Sequence, residues 1–175
     1  MACRGDVDGD GYDDVAVGAP YAQEQAGQVT VISGAVVAGL VPGTALDESA
    51  VLATVTGATA GDELGASVAL VSDIGGDGYA ELLVGAPGVT SSRGTAGLYY
   101  GPITGDLSTA DADYVVSGEV GNARLGTTVV DPGDVTGLGW SDLLIGGIPY
   151  IEANKRTDDL TDEPGQALLM ATDAF

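Results

Sequence analysis

One pattern of residues occurs three times along this chain, and a chain that repeats at such a period folds as repeated units rather than as one irregular globule. The first copy is Gly5-Asp-Val-Asp-Gly-Asp-Gly-Tyr-Asp-Asp-Val-Ala-Val-Gly-Ala-Pro20. The second is Ser72-Asp-Ile-Gly-Gly-Asp-Gly-Tyr-Ala-Glu-Leu-Leu-Val-Gly-Ala-Pro87. The third, Gly133-Asp-Val-Thr-Gly-Leu-Gly-Trp-Ser-Asp-Leu-Leu-Ile-Gly146, runs on into a looser Gly147-Ile-Pro149. Upstream spacing agrees as well. Leu64-Gly65 precedes Asp73 by the same interval as Leu125-Gly126 precedes Asp134, and Val55-Thr-Gly57 and Val116-Ser-Gly118 stand at matching distances further back.

Inside each unit the apolar runs are short. Ser67–Val71, Glu81–Val84, Gly97–Tyr100 and Tyr114–Ser117 are rich in β-branched and apolar residues, and Gly, Pro, Asp or Ser closes each of them. Runs of four to five residues are too short for helices that pack a core, so they read as strands. Four strands in a unit of roughly 60 residues describes a blade of a β-propeller, and the 29 glycines suit its tight turns. The expected fold is all-β, in four-stranded antiparallel blades, with units at about 1–57, 58–118 and 119–175. The first unit supplies Asp14–Val17, Gln28–Ile32 and Val51–Val55 but no opening strand. The third supplies Thr127–Val130, Asp142–Ile145 and Gln166–Met170, with a long polar loop from Glu152 to Pro164 and no closing strand. Ten strands make about three blades, an incomplete propeller to be completed by the remaining blades of a longer chain or by another copy.

Composition narrows the function. Acidic residues number 26 against five basic ones, for a net charge of −21, which disfavours nucleic acids and anionic membrane surfaces and favours cations. No apolar run is long enough to insert in a bilayer, and the N-terminal residues carry no signal-peptide pattern. With no histidine, Ser-His-Asp and Cys-His catalysis and imidazole zinc sites are excluded. The single Cys3 forms no intrachain disulfide.

The acids of the repeat carry the chemistry. Calcium takes six to eight oxygen ligands, commonly carboxylates on alternate residues of a tight loop plus one backbone carbonyl. The first loop offers Asp6, Asp8 and Asp10 at positions one, three and five, the Tyr12 carbonyl at seven and Asp14 at nine, with Gly11 allowing the turn. The second offers Asp73, Asp77, the Tyr79 carbonyl and Glu81, but Gly75 stands at position three. In the third, Asp134 and Asp142 remain while Thr136 and Leu138 replace the other acids, which points to a loop held by packing rather than by metal. EF-hands share the opening spacing, but they need an acid at position twelve leading into a helix. Val17, Val84 and Ile145 stand there, in strand-like runs.

DVDGDGYDDVAVGAP and DIGGDGYAELLVGAP resemble FG-GAP repeats, the blade unit of integrin α subunits and of many bacterial surface and secreted proteins. Leu64-Gly65 and Leu125-Gly126 occupy the place of the family's Phe-Gly, an aliphatic departure. The resemblance implies a propeller with Ca2+ held between the first and second strands of a blade, an extracellular or cell-surface setting, and an adhesion-type structural or interaction role with protein or carbohydrate ligands on a rim. Such repeats also accompany secreted polysaccharide-active hydrolases and lyases, so a propeller serving such an enzyme is the alternative. A glycosidase needs two carboxylates across a cleft, and the clustered acids here are assigned to metal. No catalytic residue is expected. Arg4-Gly5-Asp6 spells an integrin-ligand tripeptide, but an Asp6 committed to a cation is not presented to a receptor.

Overall fold

A computed structural model describes residues 1–119, 121–148 and 166–171 of the chain, and these form twelve strands in three sheets. The first sheet contains β1 (Ala2–Cys3), β2 (Val15–Ala19), β3 (Gln28–Ile32) and β4 (Val51–Thr56) in antiparallel sequence. The second contains β5 (Ser67–Val71), β6 (Glu81–Ala86), β7 (Thr95–Tyr99) and β9 (Tyr114–Ser117), again antiparallel and in chain order. Between its last two strands the chain leaves to form β8 (Gly105–Ser108), which pairs in parallel with β4 of the first sheet. The third sheet contains β10 (Leu125–Val130), β11 (Leu143–Gly147) and β12 (Gln166–Met170). No helical segment among the described residues exceeds five residues, and none is long and apolar enough to cross a membrane. These are consecutive blades of a partial β-propeller.

Two expectations change. An opening strand exists in the first blade, as a two-residue stub whose Ala2 and Cys3 pair with Ala16 and Val15. Two residues carry no readable periodicity, which is why the sequence hid it. The first blade also gains a fifth, parallel strand, because Gly105–Ser108 is mostly polar and takes its register from the edge of β4 rather than from its own pattern. The polar loop expected at Glu152–Pro164 lies outside the described residues.

Packing follows from strand alternation. On β6, Leu82 and Val84 face the first blade, among Val29, Val31, Val55 and Ile103, while Leu83 faces the third, among Leu125, Val129 and Ile145. Every residue of β6 is therefore buried, whereas β11 alternates, with Leu143 and Ile145 buried and Leu144 exposed. Burial on both faces is what makes a strand read as a continuous apolar run.

Glycines set how closely the blades approach. A Cβ on Gly18 would lie 2.0 Å from the Gly65 carbonyl oxygen, and one on Gly85 would lie 1.9 Å from that of Gly126. Backbone thus meets backbone where the Gly-Ala-Pro element of one blade faces the Leu-Gly of the next. Hydrogen bonds hold the seam: Glu63 and Leu64 N–H donate to the Gln25 and Ala26 carbonyls, and Arg124 and Leu125 N–H repeat this with Ser92 and Arg93. To present those carbonyls the chain makes a left-handed turn with positive φ at Gln23, Glu24 and Gln25, and again at Thr90, Ser91 and Ser92. Such backbone is costly for residues with a Cβ, and the repeated seam is what holds it. An Arg124–Glu63 ion pair adds to the second seam.

Candidate metal centre

Each acidic loop joins the first two strands of its blade, and in each the same two acids organise the backbone. Asp6 Oδ1 accepts from the N–H groups of Gly9 (2.7 Å) and Asp10 (3.1 Å), and its Oδ2 accepts from Gly11 (2.8 Å). Asp73 does the same with Gly76, Asp77 and Gly78, and Asp134 with Gly137, Leu138 and Gly139. Three converging N–H groups bend the loop round its first carboxylate, which only glycines at the left-handed positions allow: φ is +79° at Gly9 and +89° at Gly11.

The ninth residue closes the loop from the strand side. Asp14 is fully buried, its Oδ2 accepting from Val7 N–H and its Oδ1 from Gly34 N–H, both at 2.8 Å. Glu81 is fully buried too and accepts from Ile74 and Gly75 N–H. No basic side chain among the described residues pairs with either acid. Burial therefore pushes the Asp14 carboxyl up, with the charges of Asp8 and Asp10 adding to it against the two N–H donors. It pushes Glu81 up to about 7, with Asp73 and Asp77 contributing. Asp8 is raised as well, chiefly by burial and further by Asp10 and Asp6.

Carboxylate oxygens of Asp6, Asp8 and Asp14 lie within 4.8 Å of one another, as do those of Asp73, Asp77 and Glu81. These two groups have the chemistry of a hard-cation site: oxygen donors only, mutually repelling, with one member of each buried. Asp10, also expected as a ligand, is not in the first group; its Oδ1 accepts from Tyr12 N–H (2.9 Å). Asp77, at the same position of the second loop, makes the matching bond to Tyr79 N–H (3.0 Å) yet belongs to its group. The two residues whose carbonyls the sequence led one to expect as ligands differ in exposure, Tyr12 being 52% exposed and Tyr79 half-buried.

In the third loop Asp142 is fully buried, and its Oδ2 accepts from Val135 and Thr136 N–H (both 2.8 Å). Its Oδ1 accepts from the Thr136 hydroxyl (3.0 Å). The threonine at position three thus gives the buried carboxylate a side-chain donor, which neither Asp8 nor Gly75 at the same position of the other loops offers. Its partnership with Asp142 was not read from the sequence, though threonine replacing a carboxylate at that position was the available signal. The RGD tripeptide is built into the fold: Gly5 is buried, its carbonyl accepts from Asp14 N–H, and the Asp6 carboxylate is taken by three backbone donors.

Comparison with known proteins agrees with this geometry. The FG-GAP repeat model matches residues 2–32 and 64–100, the stretches that hold both acidic groups. Integrin alpha-PS2 of Drosophila melanogaster is 30% identical over 156 residues, covering 83% of this chain. The chain spans only 10% of that relative's length. Strand order and loop placement agree with the match to FG-GAP repeats over those two stretches.

Proposed function

We propose that this chain is an extracellular calcium-binding propeller segment that works as a structural and interaction module of the adhesion type and not as an enzyme. The observation that carries this is the pair of buried acids, Asp14 and Glu81, each held without a basic partner among the described residues and beside two further carboxylates. A cation is the natural counter-charge. Asp6, Asp8 and Asp14, with Asp10 and the Tyr12 carbonyl, would hold one Ca2+; Asp73, Asp77 and Glu81, with the Tyr79 carbonyl, would hold a second. Bound calcium supplies the charge that lets the loop close on its carboxylates, and millimolar calcium outside cells would fill sites of moderate affinity. Likeness to an integrin α chain supports the cell-surface setting and protein partners.

Each repeat unit, at about 1–57, 58–118 and 119–175, presents a face to the next. Gly146 stands on the open face of the third blade where Gly18 and Gly85 stand in the others, with nothing among the described residues nearer its Cβ position than 3.7 Å. This supports a further blade as its neighbour, from a longer chain or another copy.

Thermal unfolding with and without a chelator tests the calcium reading. A ligand that binds only the folded state stabilises by RT ln(1 + [Ca]/Kd), about 2.7 kcal/mol per site at a hundredfold excess. Chelation should lower the melting temperature by several degrees, with sodium chloride at matched ionic strength restoring only part of the loss. An unchanged melting curve in folded protein overturns the reading.

A further inference from the structure

The two acidic loops touch each other through one side chain. Tyr79, at position seven of the second loop, lays its ring on Gly9 of the first: a Cβ on Gly9 would lie 2.7 Å from Tyr79 Cε1 and 3.4 Å from Cδ1. Gly9 sits between Asp8 and Asp10 and donates its own N–H to Asp6, so its peptide helps to place three acids of the first loop. The root of the side chain packs against Gly101, where an added Cβ would stand 2.2 Å from the Tyr79 Cβ. Tyr79 therefore meets one glycine at its root and another at its ring. One residue on, Ala80 N–H donates to the Asp6 backbone carbonyl (2.8 Å), a second tie between the same loops. The arrangement recurs at the next seam, where Trp140, at position seven of the third loop, reaches over Gly76 of the second, its Cη2 3.9 Å from that Cβ position.

We infer that Tyr79 is a positioning residue that couples the two cation sites, so that occupation of either tightens the other. The inference rests on the calcium reading above. In it, the Tyr79 carbonyl faces the second cation while its ring braces Gly9 of the first loop. Ordering the second loop fixes the Tyr79 backbone, and with it the ring that confines the Gly9 peptide. The first loop then loses less freedom when its own cation arrives, and linkage makes the effect reciprocal. Because the ligand atom is a backbone carbonyl, changing the Tyr79 side chain leaves the donor set intact.

Calorimetric titration of the whole chain with calcium chloride separates the possibilities, with circular dichroism confirming the fold of each variant. Disabling the second loop by Asp77→Asn should weaken the first site by roughly fivefold or more, the lower end of measured site-site couplings. In a Tyr79→Ala background the same Asp77→Asn change should move the first site by less than about twofold, while both sites of Tyr79→Ala alone still fill. Tyr79→Phe, which keeps the ring, should retain the full coupling, and Tyr79→Leu replaces the alanine variant if the latter fails to fold. Two sites that titrate independently in the unmodified chain, or a coupling that survives loss of the ring, overturn the inference and leave the calcium reading standing. No calcium binding at all in the unmodified chain overturns both.

Discussion

Replacing Gly85 with alanine asks the seam between the second and third blades to accept one methyl group. That Cβ would lie 1.9 Å from the Gly126 carbonyl oxygen, 2.7 Å from its carbon and 3.0 Å from its Cα, so the two backbones must part by about an ångström. No flexible side chain can move aside, since both walls are main chain. Parting is resisted nearby by the hydrogen bonds from Arg124 and Leu125 N–H to the Ser92 and Arg93 carbonyls. Overpacking of this kind costs about 1–3 kcal/mol, and strained backbone hydrogen bonds place the substitution at or above the upper end. At about 2–4 °C per kcal/mol for a chain of this size, the melting temperature should fall by roughly 6–12 °C. Gly146→Ala is the internal control: it occupies the same repeat position, but its Cβ would meet Thr128 only at an ordinary 3.7 Å. Its effect should stay within about 0.5 kcal/mol. Thermal unfolding by far-ultraviolet circular dichroism, at constant calcium, compares the two. If Gly85→Ala melts with the unmodified chain, glycine does not set the blade spacing; a fall as large for Gly146→Ala would mean that a further blade covers that face.

Chelated protein should lose stability as pH rises from about 4.5 to about 7. Glu81 keeps its proton to about 7 when folded but releases it near its ordinary 4.5 when unfolded, so the folded state binds the extra proton across that window. Glu81→Gln should flatten this slope in a melting series against pH; a slope unchanged by the substitution would remove Glu81 as its source. Calcium affinity should rank with the acids available, so Asp8→Ala should abolish the tighter site and Asp77→Ala the weaker in a calorimetric titration, while Asp134→Ala removes neither. Loss of the tightest site on Asp134→Ala would reverse the ranking. Thr136→Val deletes the hydroxyl that Asp142 Oδ1 accepts from and should cost about 1–3 kcal/mol by denaturant unfolding, with calcium binding unchanged. A neutral result would mean that the third loop is held by its backbone bonds alone.

The repeat, the short strands and the acidic loops were legible in the sequence because each depends on local chemistry. Strand alternation, turn glycines and alternate carboxylates are written within a few residues of one another. Gln28–Ile32, Ser67–Val71 and Tyr114–Ser117 form strands with the bounds read from sequence. The convergence of Asp6 with Asp14 and of Asp73 with Glu81 follows from the same loop spacing. What tertiary structure alone decided lies between blades. The parallel pairing of β8 with β4, the left-handed turns at Gln23–Gln25 and Thr90–Ser92, and the seat of Tyr79 on Gly9 each join residues from different units. None has a local signature, because the free energy that holds it comes from a neighbour far along the chain. Glycine shows the division well: at Gly11 its freedom of φ could be read from the turn, whereas at Gly18 and Gly85 it serves to leave room for a carbonyl of the next blade. Sequence order does not state that approach; only the packed blades do.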